Sequence, residues 1–419
     1  MLNNQDIINF FKQFNYDLRV SGNGRWIDQK CAADVLTIVS DCIIHFVEQD
    51  ITKSFSSADI WHAQYTVDNV AAIFKKPSVE DNSAKSEYNK FFMQPLELLS
   101  YAGVLKKAKK NNTNIYNVQD LDVLNYIAMR ERNALFFLYT YIEKVLKDSN
   151  YFQHVENFLA KQDQASYCQL KNAFAQFIIE NTKINGTVEC NRIFIKVLNP
   201  IAYHYDTLGT EKGRLSKRKI TFDQLMYNRL NFRDLLANKP KDMTRKDYLS
   251  QHNTQINERY LQYQVKKAKN FLREFNNTYR RGLSEHIEDR HMLDKAVQMH
   301  HIFPESLFPE ISNCLENLIA LTPTQHLGYA HPNNNTSDID EHYQHSLLLS
   351  KAERIKENLT DSTVDSIYSF ANLLFILSVG LNDLKLLDIA DMDFDAVVKA
   401  INMHYDQNSS SLETIPERE

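Results

Sequence analysis

The chain is poor in the residues that break regular structure, with 9 Gly and 9 Pro in 419 positions. So few breakers leave long uninterrupted segments, and a mostly helical chain is expected. Cysteine is also scarce. The five thiols, Cys31, Cys42, Cys168, Cys190 and Cys314, are scattered and odd in number. No CxxC pair occurs, which argues against a thiolate zinc ribbon. Free thiols in a reducing cytosol fit this usage. Long apolar runs are missing. The longest, near residues 371–379, is too short to span a bilayer and reads as a buried helix. The opening residues, Met1-Leu2-Asn3-Asn4-Gln5-Asp6, carry no basic region leading into an apolar stretch. A cytoplasmic chain with no leader and no membrane partner is expected.

What is present is ordinary for a globular protein: 43% hydrophobic and 24% charged residues over a length that suits two or three domains. The net charge of −5 argues against a nucleic-acid binder, but its distribution argues for one. Residues 296–419 hold 6 basic and 19 acidic side chains, a net of −13. Residues 204–295 hold 20 and 12, a net of +8, and residues 1–203 balance at 22 each. A basic block therefore lies directly before the acidic C-terminal part. A solvated helical surface is its bland explanation.

The first 120 residues read as one unit. Apolar periodicity predicts helices over residues 32–47, 57–61 with Ser57 as N-cap, 67–74, and 84–101 with a break or restart at Pro95. Residues 104–110, a polar turn at 111–114 and residues 115–118 read as a basic β-hairpin. Three of these helices followed by a basic hairpin resemble a winged-helix domain. That likeness places the helix before the hairpin in the DNA major groove and Lys106, Lys107, Lys109 and Lys110 against phosphates. A small helical subdomain with a solvated hairpin is the alternative. Residues 121–285 read as helices that include a basic segment. There Arg214, Lys217, Arg218, Lys219, Arg229 and Arg233 alternate with Asn and aromatic residues that suit phosphate and base-edge contacts. Amphipathic helices are expected over 343–359 and 362–384, and a disordered tail over 406–419.

The most informative stretch is residues 300–326. His300-His301-Ile302-Phe303-Pro304 is followed by Glu316-Asn317-Leu318 and then by Thr322-Pro323-Thr324-Gln325-His326. Residues 298–303 and 315–321 read as two strands. Thr322 as N-cap, Pro323 at the first helical position and Gln325 completing a capping box then start a helix. Eight of the 14 histidines fall between His286 and His345: His286, His291, His300, His301, His326, His331, His342 and His345. Phosphodiester hydrolysis needs a base near neutrality, which histidine supplies, and positive charge on the phosphate, which a divalent cation supplies.

The order His-His, Asn, His on two strands and a helix resembles the HNH (ββα-metal) nucleases over roughly 60 residues, within a nuclease domain expected over residues 286–405. The resemblance implies that His301 is the general base and that Asn317 orients that histidine or the motif's loop. It implies that His300 and His326 hold one divalent metal ion. His300 stands where the family more often has Asp. Two imidazoles shift preference from Mg toward Mn, Co, Ni or Zn, though Mg with water and phosphate remains open. His331 is an alternative ligand, DNA contact or helix cap. Neighbouring strand residues face opposite ways, so a twisted strand end is expected to bring His300 and His301 together. The large segment before the motif suits a DNA-reading apparatus. The chain thus looks like a type II restriction endonuclease, similar to the shifted-cleavage (type IIS) subgroup. The partners this implies are double-stranded DNA and a homodimer formed on it. A homing or mobile-element HNH nuclease, and a non-catalytic DNA-binding regulator with a structural His cluster, are the competing expectations.

Overall fold

In a computed structural model, residues 1–74, 76, 85–227, 258–286, 293–330 and 339–412 are described, with the backbone alone at 258 and 407–412. The chain is mainly helical with three small two-stranded antiparallel sheets among these residues. It divides into two compact units, Leu2–Arg259 and Tyr260 onward. The division falls at 259/260, whereas breaks were expected at 120 and 285.

The first unit is built around α3 (Ala33–Val47), which buries nearly all its side chains. A helix buried on nearly every side must be central. It packs against α7 (Leu121–Met129) and α8 (Glu131–Asp148), so the chain does not separate at residue 120. The short helix Ser57–Trp61 is capped by Ser56, not Ser57. The reason is Asp59: its backbone N–H donates to Ser56 Oγ at 3.3 Å and its carboxylate accepts from Ser56 N at 2.7 Å. Only Ser56 has an acidic residue three positions on. Helix α6 (Lys85–Tyr101) runs through Pro95 without a break. Pro95 removes one N–H, to the Phe91 carbonyl, but Phe91, Phe92, Leu96, Leu98 and Leu99 bury the same side and hold the helix together.

The basic hairpin forms as β1 (Leu105–Lys110) and β2 (Thr113–Val118). Its turn is two residues, tighter than the expected 111–114. Asn111 and Asn112 both take positive φ, 47° and 63°, a conformation Asn tolerates and a two-residue hairpin needs. Phe55 and Tyr116 exchange backbone bonds of 2.9 and 2.7 Å, so the segment before the Ser57 helix adds to the hairpin edge. A second hairpin, β3 (Leu208–Glu211) and β4 (Arg214–Lys219), lies in the basic block, where no strand was expected.

The second unit carries β5 (Gln298–His301) and β6 (Leu318–Leu321), paired antiparallel with His300 opposite Ile319 and His301 opposite Leu318. The expected strand over 315–321 is shorter, because Leu315–Asn317 forms a 3₁₀ turn. Helix α12 (Glu258–Tyr279) precedes the hairpin; α13 (Glu341–Thr360), α14 (Phe370–Gly380) and α15 (Phe394–Leu412) follow it. Helix α14 buries one face, with Phe375 exposed on the other, and it spans only part of the expected 362–384. Asp361 ends α13 and Ser369 caps α14, its side chain accepting from Asn372 N at 3.4 Å. Helix α15 continues to Leu412, into the segment expected to be a disordered tail.

Candidate active site in the C-terminal hairpin

The helix-start signals at Thr322 act as read. Gln325 Oε1 accepts from Thr322 N at 3.0 Å and Thr322 Oγ1 accepts from Gln325 N at 3.2 Å. Ser284 Oγ donates to the same Gln325 oxygen at 2.7 Å and fixes it. The turn that follows, Gln325–Ala330, is π-helical, a widened geometry that recurs at functional sites. It places His326 beside β5. The His326 and His300 rings meet edge to face, with centroids 5.1 Å apart and planes at 76°.

His301 takes a different partner. Its Nε2 lies 2.9 Å from the carbonyl oxygen of Ser312. A carbonyl only accepts, so Nε2 carries the proton and Nδ1 presents a lone pair. Glu305 Oε2 stands 4.0 Å from that Nδ1. Burial first, and then the Lys269 ammonium on α12, push His301 down to about 4, while the Ser312 bond works in the opposite direction. The imidazole is therefore neutral near pH 7. Burial also lowers Lys269, opposed by Glu305. Lys269, Glu305 and Ser312 were not among the expected site residues. Nothing in the local pattern around any of them connects it to His301.

Asn317 does not bond His301. Its Oδ1 accepts from Phe303 N at 2.8 Å, and its Nδ2 donates to Phe303 O at 3.0 Å and Ile311 O at 3.4 Å. Asn317 thus clamps both ends of the loop after β5, one residue from the Ser312 carbonyl that orients His301. Of the two roles open to this residue, the structure places it on the loop; the tautomer of His301 is set by Ser312. Phe303 lies on Gly380, where an added Cβ would stand 2.3 Å from the Phe ring.

Behind β6, fully buried Glu285 accepts from Arg280, from Lys351 at 3.4 Å, from Tyr368 at 3.3 Å and from Ala320 N at 2.8 Å. Burial would push Glu285 up, but Lys351 and Arg280 outweigh it and hold the carboxylate below its usual range. The histidine cluster of the sequence is not one site. His286 bonds Ser346 Oγ at 3.0 Å and stacks on Tyr343; His345 bonds Asn402 at 2.8 Å and stacks on Tyr405. His342 is exposed. His331, the alternative ligand, and His291 lie outside the described residues.

Among the described residues no three His, Cys, Asp or Glu side chains group to hold a metal ion. The His300–His326 pair supplies two nitrogen donors. That set fits an open site completed by water and phosphate, not a closed four-ligand structural zinc site.

The candidate DNA contacts sit in the first unit. Lys106, Lys107, Lys109 and Lys110 are exposed on β1, with Lys107 paired to Glu97 at 2.6 Å. Arg214, Lys217, Arg218 and Lys219 are exposed on β4, with Lys219 paired to Asp206. Arg229 and Arg233 lie outside the described residues. No helix is long and apolar enough to cross a membrane among the described residues. No protein-family model matches this chain, and neither a curated protein nor a solved structure is significantly similar to it.

Proposed function

We propose that the chain is a metal-dependent DNA endonuclease of the HNH (ββα-metal) kind, sequence-specific in the manner of a type II restriction enzyme. The observation that carries this reading is the meeting of His300 and His326 between β5 and the π-helical turn, one residue from a histidine whose Nδ1 lone pair is set by the Ser312 carbonyl. A hairpin, a helical turn, two imidazoles and an oriented base are the parts phosphodiester hydrolysis needs.

The chemistry follows from those parts. His301 accepts the proton of the attacking water at Nδ1. The resulting imidazolium, which burial and Lys269 disfavour, is partly stabilised by the Ser312 carbonyl on one side and by Glu305 on the other. Asn317 keeps the loop that carries Ser312 in place. Lys269 offers positive charge to the phosphate. A divalent cation held by His300 and His326, Mg or a transition metal such as Mn, would neutralise the phosphate and the leaving 3′-oxygen. The products would carry 5′-phosphates.

The first unit supports DNA reading by its order of parts: α3, an edge segment at Phe55, two short helices, α6, then the β1–β2 hairpin. The last helices and the hairpin resemble a winged-helix domain, in which α6 would enter the groove and the hairpin lysines would lie at phosphates. One site per chain cuts one strand, so a double-strand break calls for a second copy on the DNA.

Plasmid cleavage with Mg²⁺ or Mn²⁺ tests the assignment. His301→Ala is expected to lower the rate by about a hundredfold or more, the usual worth of a general base, and sequencing the ends should reveal a fixed short site. Undiminished cleavage by the variant would remove His301 from the mechanism.

A further inference from the structure

The outward face of α6 is unused by the fold. Phe91, Phe92, Leu96, Leu98 and Leu99 bury its inner side. Ser86, Asn89, Lys90 and Met93 follow one another at spacings of three and four, which puts them on one helix face. Ser86, Lys90 and Met93 are exposed and Asn89 is half-buried. Among the described residues the side chains of Ser86, Asn89 and Lys90 make no hydrogen bond or ion pair.

The carboxylates of the same helix are committed elsewhere. Glu87 accepts from Lys30 and, at 2.9 Å, from Lys76. Glu97 accepts from Lys107 at 2.6 Å, from Asn114 at 3.0 Å and from the Tyr116 hydroxyl at 2.7 Å. Those last three residues come from both strands of the β1–β2 hairpin, so Glu97 fixes the helix face and the hairpin lysines in one frame. A groove of about 970 Å³ borders the face, lined by Lys85, Asn89, Lys90 and Met93 and, from α11 (Thr187–His204), by Arg192. Its other carboxylates, Asp28 and Glu189, are matched by Arg25 and, at 3.3 Å, by Arg192. Lys85 and Lys90 form no ion pair among the described residues.

We propose that this face reads an adenine and a thymine in the major groove of duplex DNA. Asn89 makes the paired hydrogen bonds to adenine N7 and N6, and Met93 covers the thymine methyl group. A free carboxamide and a free apolar tip are the two chemistries that tell an A·T pair from a G·C pair there. The two residues are four apart, about 6 Å along the helix axis, so the two bases lie within about two base steps of each other. Lys85 and Lys90 meet the flanking phosphates. Such reading rests on the DNA-binding role proposed above for the first unit.

Binding selection on the full chain from a random duplex library, without Mg²⁺ or Mn²⁺, yields the preferred site. It should hold an adenine and a thymine at that separation. Asn89→Ala should lose the preference at the adenine position and weaken that site by about tenfold. Its binding to unrelated DNA should be unchanged, which also shows that the variant folds. Base analogues then identify the atoms. 7-Deazaadenine should weaken binding by wild type but not by Asn89→Ala. Deoxyuridine in place of thymidine should weaken wild type by about threefold, the worth of one buried methyl group, and leave Met93→Ala indifferent. A selected site that Asn89→Ala leaves unchanged, or analogues that act equally on wild type and variants, would overturn the assignment of these bases while DNA reading itself stood. Binding with no sequence preference at all would overturn both.

Discussion

At the scale of single residues, the site turns on how His301 is held. A lone imidazole in water titrates near 6.5, and here burial and the neighbouring Lys269 bring it to about 4. The folded state therefore binds a proton less readily than the unfolded chain. Between pH 6.5 and 4 the unfolded state holds the extra proton, so stability falls as pH drops through that window and is fully present above it. The expected contribution is on the order of 3 kcal/mol across the window. Chemical denaturation of wild type and His301→Asn at pH 7 and pH 4.5 measures it. The variant should lose less stability on acidification, and parallel losses in both proteins would sink the account. This histidine stands out in the sequence because it belongs to a short ordered motif. Ser312, Glu305 and Lys269 do not, since their relation to it exists only after the chain has folded.

At the scale of elements, local rules worked where a local device decides the structure. The Thr322–Gln325 capping box and the β1–β2 hairpin were both readable, the latter from its paired apolar ends and asparagine turn. Tertiary packing overrode the expectation at Pro95, whose helix is held by burial on both sides of the proline. The β3–β4 hairpin escaped notice because its second strand, Arg214–Lys219, is five-sixths polar and lacks the apolar alternation that marks a strand. One packing contact has a testable consequence for the proposed site. Gly380 near the end of α14 leaves room for the Phe303 ring, and Asn317 clamps the Phe303 backbone on both sides. Gly380→Ala brings a methyl into that ring. The expected loss is about 1–3 kcal/mol in urea unfolding, the usual cost of overpacking, with a matching loss of cleavage although Gly380 touches no reacting group. A variant as stable as wild type would show that Phe303 does not rest there as described.

At the scale of the whole molecule, the charge asymmetry of the sequence follows the division of the chain. The two basic hairpins belong to Leu2–Arg259, while residues 296–419, with a net of −13, belong to the unit that carries the histidines. A polyanion would be attracted to the first unit and repelled by most of the second. On the proposed reading, affinity for DNA then comes from the reading unit, and the cutting unit meets the phosphate only where His300, His326 and Lys269 offset its own acidity. Such a division predicts where salt acts. Lys106, Lys109 and Lys110 are exposed, and among the described residues none of them forms an ion pair, whereas Lys107 is engaged by Glu97. In the full chain, replacing those three with Gln should reduce the slope of log affinity against log salt by roughly three, about one for each phosphate that a lysine no longer neutralises. The thermal midpoint should not move, since the side chains are solvated. Replacing acidic residues exposed on α15, such as Asp395, should leave the slope nearly unchanged. A salt slope indifferent to the hairpin lysines would place the DNA elsewhere on the chain and remove the winged-helix assignment, while leaving the histidine site to be judged on His301 alone.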